Sequence, residues 1–325
     1  MMSLSLRNYS LETFTKKGES YLVHPEFHKA RAAWLLYFIG VAPSMINNDW
    51  QNYVDSLISL AKYTGEGILK YARLPKKVMR IQRKDNNTLL TEADLCAHRI
   101  LYEELQSLTP NIPILSEESE DGEIPSYKTR CQWQRYWLLD PLDGTRGFIE
   151  KCDEFTINIA LIENNQPIIG VVYAPVRKEC YFAHQKHGAF KQMDDEIPKQ
   201  IHTRKMNWQS FSVYLGQFLK SPWLPRLFET ISAAQIIRLN SSLKFCQVAI
   251  GDGDFYPSFG DTSEWDTAAA QCILEAAGGV IVNLSGKALQ YNTKPSFTNP
   301  PFVALGDPTQ KLEIIALLET KRKEK

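Results

Sequence analysis

The stretch that decides the fold is "RYWLLDPLDGTRGF", residues 135–148. An apolar run, Tyr136 to Leu139, delivers Asp140, and Asp143 follows three residues later on a Gly144–Thr145 turn. A strand covered on both faces reads as a continuous apolar run, so both acids stand where a buried strand stops. Carboxylates crowded in a partly dry place repel one another, and they either take up protons or gather cations.

Outward from this strand, helical and strand patterns mix. The apolar positions Tyr53, Val54, Leu57, Ile58, Ala61 and Ile68 predict a helix over 50–71. "TLLTEADLCAHRILYEELQSL" (88–108) predicts a second helix starting near Thr91, and "NIPILSEESEDGE" (111–123) a short strand running into an acidic loop. "EFTINIALI" (154–162) and "PIIGVVYAPV" (167–176) read as strands joined by the turn "ENNQ", and "CYFAHQKHGAFKQ" (180–192) as a further hairpin. Past residue 200 the signal weakens. There "SLKFCQVAIG" (242–251) reads as a helix and "DFYPSFG" (254–260) as a strand and turn. "DTAAAQCILEAAGG" (266–279) reads as a helix closed by Gly278 and Gly279. "VIVNL" and "PFVALG" read as strands, and a last helix runs into "KRKEK" (321–325), a solvated end. No repeat or low-complexity tract interrupts this α/β order, which implies packed layers.

A chain of 325 residues suffices for one large or two intimately packed domains. We expect an N-terminal extension of unknown role (1–48), a metal-binding α+β half (49–200) and a substrate-binding α/β half (201–325). Lys+Arg and Asp+Glu balance at 37 each, so nothing calls for a nucleic-acid polymer as partner. The six cysteines contain no C-x-x-C pair, which favours small buried thiols in a reducing cytosol over zinc knuckles or disulfides. In the extension, "AAWLLYFIGVA" (32–42) is shorter than the roughly 20 apolar residues of a spanning helix. It leaves three readings open: peripheral contact with the inner face of a membrane, a packed extension, or translation that begins at Met45.

Two more acidic groups share the setting of Asp140 and Asp143: Glu117-Glu118 after "ILS", and Asp266 in "EWDTAAA". If the fold gathers them, the site offers hard oxygens without histidine or thiolate, a donor set that selects magnesium or manganese over zinc. Two such ions roughly 3.5–4 Å apart clamp the attacking and leaving oxygens of a phosphoryl transfer. Gly144 and Thr145 would open the next helix, with its amides toward the same anion. Taken singly, each acid has an ordinary explanation beside a turn, and Asp266 reads equally as a helix cap. It is the Asp-Pro-Leu-Asp-Gly-Thr run, strand before and turn after, that favours the metal.

With these motifs the chain resembles the inositol-monophosphatase superfamily of magnesium-dependent, lithium-sensitive phosphatases. "WLLDPLDGT" (137–145) matches its W-x-x-D-P-[LI]-D-G-T signature, and "WDTAAAQCILEAAGG" (265–279) its second, W-D-x-A-[AG] followed by a helix and E-A-G-G. Within it, "LSEE", "EFTINIALI", "GVVYAPV" and "SSLKFC" most resemble the CysQ-type 3′(2′),5′-bisphosphate nucleotidases, which act on adenosine 3′,5′-bisphosphate, a by-product of sulfate activation. The resemblance spans about residues 50–305.

It implies a layered αβαβα sandwich and two or three Mg²⁺ ions, with Mn²⁺ as a substitute. The metals would be held by Glu117, Asp140, Asp143, Asp266 and the Leu142 carbonyl. Asp94, in the Thr91-x-x-Asp94 motif, would orient the attacking water together with Thr145. Thr-x-x-Asp at a helix start is also a capping pattern. Gly144, Thr145, Ser241, Ser242 and Lys244 would contact substrate, and Lys244 reads equally as an exposed helix lysine.

The chain also departs from that pattern. Where bacterial nucleotidases read K-x-D-x-S-P-V-T, "KDNNTLLT" (84–91) has Asn86 at the aspartate position and Leu89 at the proline. An asparagine orients water but takes no proton, so the base falls to Asp85 or Asp94. The family's S-R-S-H is "VYLGQ" (213–217), the glycine before S-S-L-K is Asn240, and the arginine of Y-P-R is Ser258. The expected activity is a metal-dependent 3′(2′),5′-bisphosphate nucleotidase. The rivals are an inositol or sugar monophosphatase, favoured by the missing cations, and a non-catalytic nucleotide- or metal-binding descendant.

Overall fold

The computed structural model describes residues 12–16, 19–23, 50–76, 79–84, 89–119, 124–218, 223–229, 231–260 and 262–323. The apolar segment 32–42, Met45, Asp85 and Asn86 fall outside them. Two units separate, Met1–Asp49 and Trp50–Lys325. In the first, strands β1 (Glu12–Lys16) and β2 (Glu19–Val23) pair as an antiparallel hairpin.

The second unit opens with helix α1 (Trp50–Ala72), whose Val54, Leu57, Ile58, Ala61 and Ile68 are buried, as their helical spacing predicts. A two-stranded ribbon follows, β3 (Gln82–Arg83) against β4 (Leu89–Leu90), and then helix α2 (Glu92–Leu108). Strand β5 (Ile114–Ser116) leads through the one-turn helix α3 (Tyr127–Arg130) to β6 (Arg135–Asp143), the strand read first in the sequence. A one-turn helix α4 (Thr145–Ile149) turns the chain into a meander of β7 (Thr156–Glu163), β8 (Gln166–Ala174), β9 (Glu179–His184), β10 (Gly188–Met193) and β11 (Lys199–Ile201). These strands form one sheet in the order β11-β10-β9-β8-β7-β6-β5, antiparallel throughout except for β5 beside β6. The turn "ENNQ" joins β7 to β8 with Asn164 and Asn165 both at positive φ, the geometry a right-twisted two-residue hairpin requires.

The remaining elements are β12 (Phe211–Leu215), α5 (Trp223–Glu229), β13 (Ala234–Arg238), α6 (Leu243–Ala249), β14 (Phe255–Ser258), α7 (Glu264–Ala276), β15 (Val280–Asn283), β16 (Phe302–Leu305) and α8 (Lys311–Lys323). Their strands make a second, mixed sheet in the order β13-β12-β14-β16-β15. Period-two alternation divides its side chains between two cores. Tyr214, Tyr256, Ile281, Phe302 and Ala304 join α6, α7 and the first sheet. Phe211, Val213, Leu215, Phe255, Val282, Val303 and Leu305 pack instead with Leu224 and Phe228 of α5 and Ile314 and Leu318 of α8. With α1 and α2 on the outer face of the first sheet, the order is helices, sheet, helices, sheet, helices. The predicted five-layer sandwich is the observed fold.

The middle helix layer lies unusually close to the first sheet. A Cβ on Gly170 of β8 would fall 2.2 Å from the backbone oxygen of Ala269, so glycine is what lets α7 rest on β8. The cysteines correct one expectation. Cys180, Cys246 and Cys272 are buried, but Cys96 and Cys152 are half-buried and Cys131 is exposed; all six are free thiols.

Candidate metal centre

The two acids of β6 owe their shared setting to an irregularity in the strand. Residues three apart on a regular strand face opposite sides. Opposite β7, however, Asp140 pairs with Asn158 and Asp143 with Thr156, so three steps on β6 match two on its partner. The extra residue makes a bulge that contains Pro141, which has no N–H to lose there. Asn158 and Thr156, two apart, lie on one face, and the bulge brings Asp140 and Asp143 to that same face. The Leu142 N–H closes back on Asp140 Oδ1 at 3.1 Å.

Carboxyl oxygens of Glu117, Asp140 and Asp266 all lie within 4.8 Å of one another. They come from the end of β5, the bulge of β6 and the first turn of α7, so three separate parts of the sequence meet. Burial, followed by the neighbouring acids, pushes the carboxyls of Asp140 and Asp266 well above the usual range. Burial also raises Glu117, against the opposing pull of Lys84. Asp140 Oδ2 is buried with no hydrogen-bond partner. A hard divalent cation suits this place: it supplies the positive charge that crowded acids need and a partner for the orphaned oxygen.

Asp143 stands at the edge of the cluster. Its Oδ2 accepts from the Ser242 backbone N–H at 2.6 Å, with Asn158 Nδ2 at 3.4 Å and Thr156 Oγ1 at 3.5 Å. Ser242 Oγ in turn donates to Asn158 Oδ1 at 2.6 Å. Lys244 is buried, not an exposed helix lysine. Its ammonium donates to the Ser241 carbonyl and sits 5.0 Å from the centre of the Tyr256 ring. Burial lowers its pKa, opposed by Asp143 and Asp266.

Asp94 and Asp266 each use one oxygen to build a helix. Thr91 N–H and Oγ1 donate to Asp94 Oδ2 at 2.8 and 2.6 Å, closing a capping box on α2. Ser263 N–H donates to Asp266 Oδ2 at 2.8 Å, closing another on α7. The capping reading of both residues is observed, and it leaves the other carboxylate oxygen of each outside the capping box. Asp94 Oδ1 is left to receive the Thr145 hydroxyl at 3.0 Å, with the Leu142 carbonyl 3.2 Å from the same hydroxyl. Burial raises the Asp94 carboxyl to about 6.

Gly144 takes φ +90°, the left-handed conformation that its turn into α4 needs. Because α4 spans five residues, one turn, its dipole toward an anion is smaller than the sequence suggested.

Two participants had escaped the sequence reading. Lys84 Nζ lies 3.3 Å from Glu117 Oε1 and 2.6 Å from Glu118 Oε2, and Glu118 is pushed up to about 8 by burial and by Glu117. Lys84 opens the stretch compared with K-x-D-x-S-P-V-T, but that pattern does not tell which acids it meets. Glu154, at the start of "EFTINIALI", has no role of its own in the sequence reading, yet it is buried, with three donors on its carboxylate and a fourth on its backbone carbonyl, described below.

Residues 49–320 match the inositol monophosphatase family, and the chain belongs to it. It is 41% identical over 249 residues to the 3′(2′),5′-bisphosphate nucleotidase CysQ of Salmonella typhimurium, covering 77% of this chain and 98% of that protein. The crystal structure of CysQ from Bacteroides thetaiotaomicron superposes with a TM-score of 0.68 at 34% identity, covering 80% of this chain and 99% of that one. The Thermotoga maritima IMPase, at 24% identity and a TM-score of 0.68, shares the fold.

Proposed function

We propose that this chain is a Mg²⁺-dependent 3′(2′),5′-bisphosphate nucleotidase that releases the 3′-phosphate of adenosine 3′,5′-bisphosphate to give AMP. The observation that carries the reading is the convergence of Glu117, Asp140 and Asp266 on one point, in a chain of such likeness to CysQ. Glu117, Asp140, Asp143, Asp266 and the Leu142 carbonyl would hold two or three Mg²⁺ ions, with Mn²⁺ as a substitute. Magnesium there supplies positive charge to the phosphoryl oxygens and acidifies water.

The chain's own part is orientation. Thr145 gives its single proton to Asp94 Oδ1, which leaves the hydroxyl oxygen as an acceptor that aims a water O–H. Asp94 has both oxygens engaged, so it holds Thr145 rather than taking the water's proton directly. Gly144, on the turn after β6, and Ser241 and Ser242, on the turn after β13, would face the phosphate, with Lys244 adding a cation behind them. Free thiols in all six cysteines accord with work in the cytosol. No helix among the described residues is long and apolar enough to cross a membrane.

A second reading, an inositol or sugar monophosphatase, draws on the cations lost where S-R-S-H is "VYLGQ" (213–217) and the arginine of Y-P-R is Ser258. A substrate panel with Mg²⁺, with and without Li⁺, separates the two. We expect adenosine 3′,5′-bisphosphate to turn over fastest and Li⁺ to inhibit. Faster release from inositol or fructose phosphates would overturn the nucleotidase reading. No Mg²⁺-dependent release at all would leave the non-catalytic descendant.

A further inference from the structure

Beside the metal centre, the turn Asn240–Ser242 is held from two directions. One hold is Asp143, through the Ser242 N–H at 2.6 Å. The other is Glu154, which the mechanism above leaves unused. Its Oε2 accepts from the Asn240 backbone N–H at 3.0 Å and from Gln217 Nε2 at 3.1 Å. Its Oε1 accepts from Arg177 Nη2 at 3.0 Å, and its backbone carbonyl from Ser241 Oγ at 2.5 Å. Three segments distant in sequence thus end on this residue at the entry to β7: the β8–β9 turn, the loop after β12 and the turn after β13.

What Glu154 holds is under strain. Ser241 adopts φ +52°, a left-handed conformation that costs a non-glycine residue on the order of 1 kcal/mol and persists where surrounding contacts over-determine it. Its Cβ faces Gly144, since a Cβ added there would lie 3.5 Å from it. The strained residue therefore borders the turn that meets the phosphate. Gln217 sits where the nucleotidase pattern S-R-S-H would end, and it is tied to the same carboxylate. Buried charge-assisted hydrogen bonds of this kind fix geometry more firmly than neutral ones.

We propose that Glu154 is a positioning and specificity-determining residue: it clamps Gln217, Arg177 and the Asn240–Ser242 turn into one wall, which receives the part of the substrate beyond the reacting phosphate. This inference deepens the phosphomonoesterase reading and rests on it. A substrate with a large nucleoside group feels the wall, whereas a small aryl phosphate reacts at the metals without spanning it.

The test compares Glu154→Gln with the wild type on adenosine 3′,5′-bisphosphate and on phenyl phosphate, both with Mg²⁺. Glutamine keeps the shape but loses the charge and one acceptor. We expect kcat/KM for the nucleotide to fall about tenfold more than for phenyl phosphate, mostly through KM. Gln217→Ala, a change at an exposed residue, should shift the same ratio in the same direction by a smaller factor, and it serves should the first variant fail to fold. Equal losses on both esters, or an unchanged ratio in the folded variants, would overturn the clamp while leaving the enzyme reading intact. A wild type that hydrolyses neither ester would remove both together.

Discussion

Thr145 Oγ1 stands 3.0 Å from Asp94 Oδ1, while the other oxygen of that carboxylate closes the first turn of α2. One side chain thus joins a helix start to the turn after β6, and its two tasks separate on mutation. Asp94→Asn keeps an oxygen for the cap but loses an acceptor for the hydroxyl. We expect kcat to fall about 10²–10³-fold. Melting should shift by only about 2–3 °C, as for a weakened cap of about 1 kcal/mol. Assay and thermal melt on the same preparation decide it; a large melting shift with kcat kept would contradict the role.

The crowded acids give metal-free protein a pH signature. Asp140 and Asp266 have carboxyl pKa values raised in the fold, so their charged forms oppose folding. Stability in EDTA should therefore be greatest at low carboxyl charge and decline as pH rises through the raised range. Asp140→Asn should flatten that decline and stabilise the metal-free protein at pH 8. It should also abolish the melting increase that Mg²⁺ gives the wild type, a gain of about 2.7 kcal/mol when Mg²⁺ is a hundred times its Kd.

Lys84 offsets the charge of Glu117 and Glu118 from 3.3 and 2.6 Å. Lys84→Met strands the buried Glu118 carboxylate, whose pKa is already raised to about 8. We expect a loss of about 1–3 kcal/mol at pH 9 and less at pH 6, where Glu118 carries a proton. Urea denaturation at the two pH values measures it, and equal losses would show that the charge is irrelevant.

Glu275, on α7 away from the cluster, is raised to about 7 by burial despite its bonds to Ile281 and Gln271. A carboxyl whose folded pKa exceeds its unfolded value favours folding least when ionised. Its contribution is lost as pH climbs from about 4.5 to 7. Glu275→Gln should leave stability at pH 4 nearly unchanged and raise it at pH 8 by about 1–3 kcal/mol. A destabilised variant at pH 8 would mean that the hydrogen bonds outweigh the desolvation.

The acid cluster was legible in the sequence because its signals are contiguous. A buried strand, two acids and a turn lie within residues 135–148, and Asp266 opens a plainly periodic helix. The bulge between Asp140 and Asp143 was hidden, since register belongs to the strand pair and not to one strand. Past residue 200 the strands blurred for a related reason. Lys199–Ile201 and Ala234–Arg238 sit at sheet edges and carry polar residues there, which erases the alternation. Lys84 meets Glu117 33 residues on, and Glu154 meets Arg177 and Gln217 23 and 63 residues on, and no local pattern announces such partners.

Gly170 carries no chemistry, yet it sets the thickness of the seam between β8 and the helix bearing Asp266. A single methyl group at that position would lever the helix outward and widen the gap between Asp266 and the acids at the ends of β5 and β6. Selection on the catalytic geometry would then reach a residue deep in the scaffold, and ion affinity would answer to a change that touches no ligand.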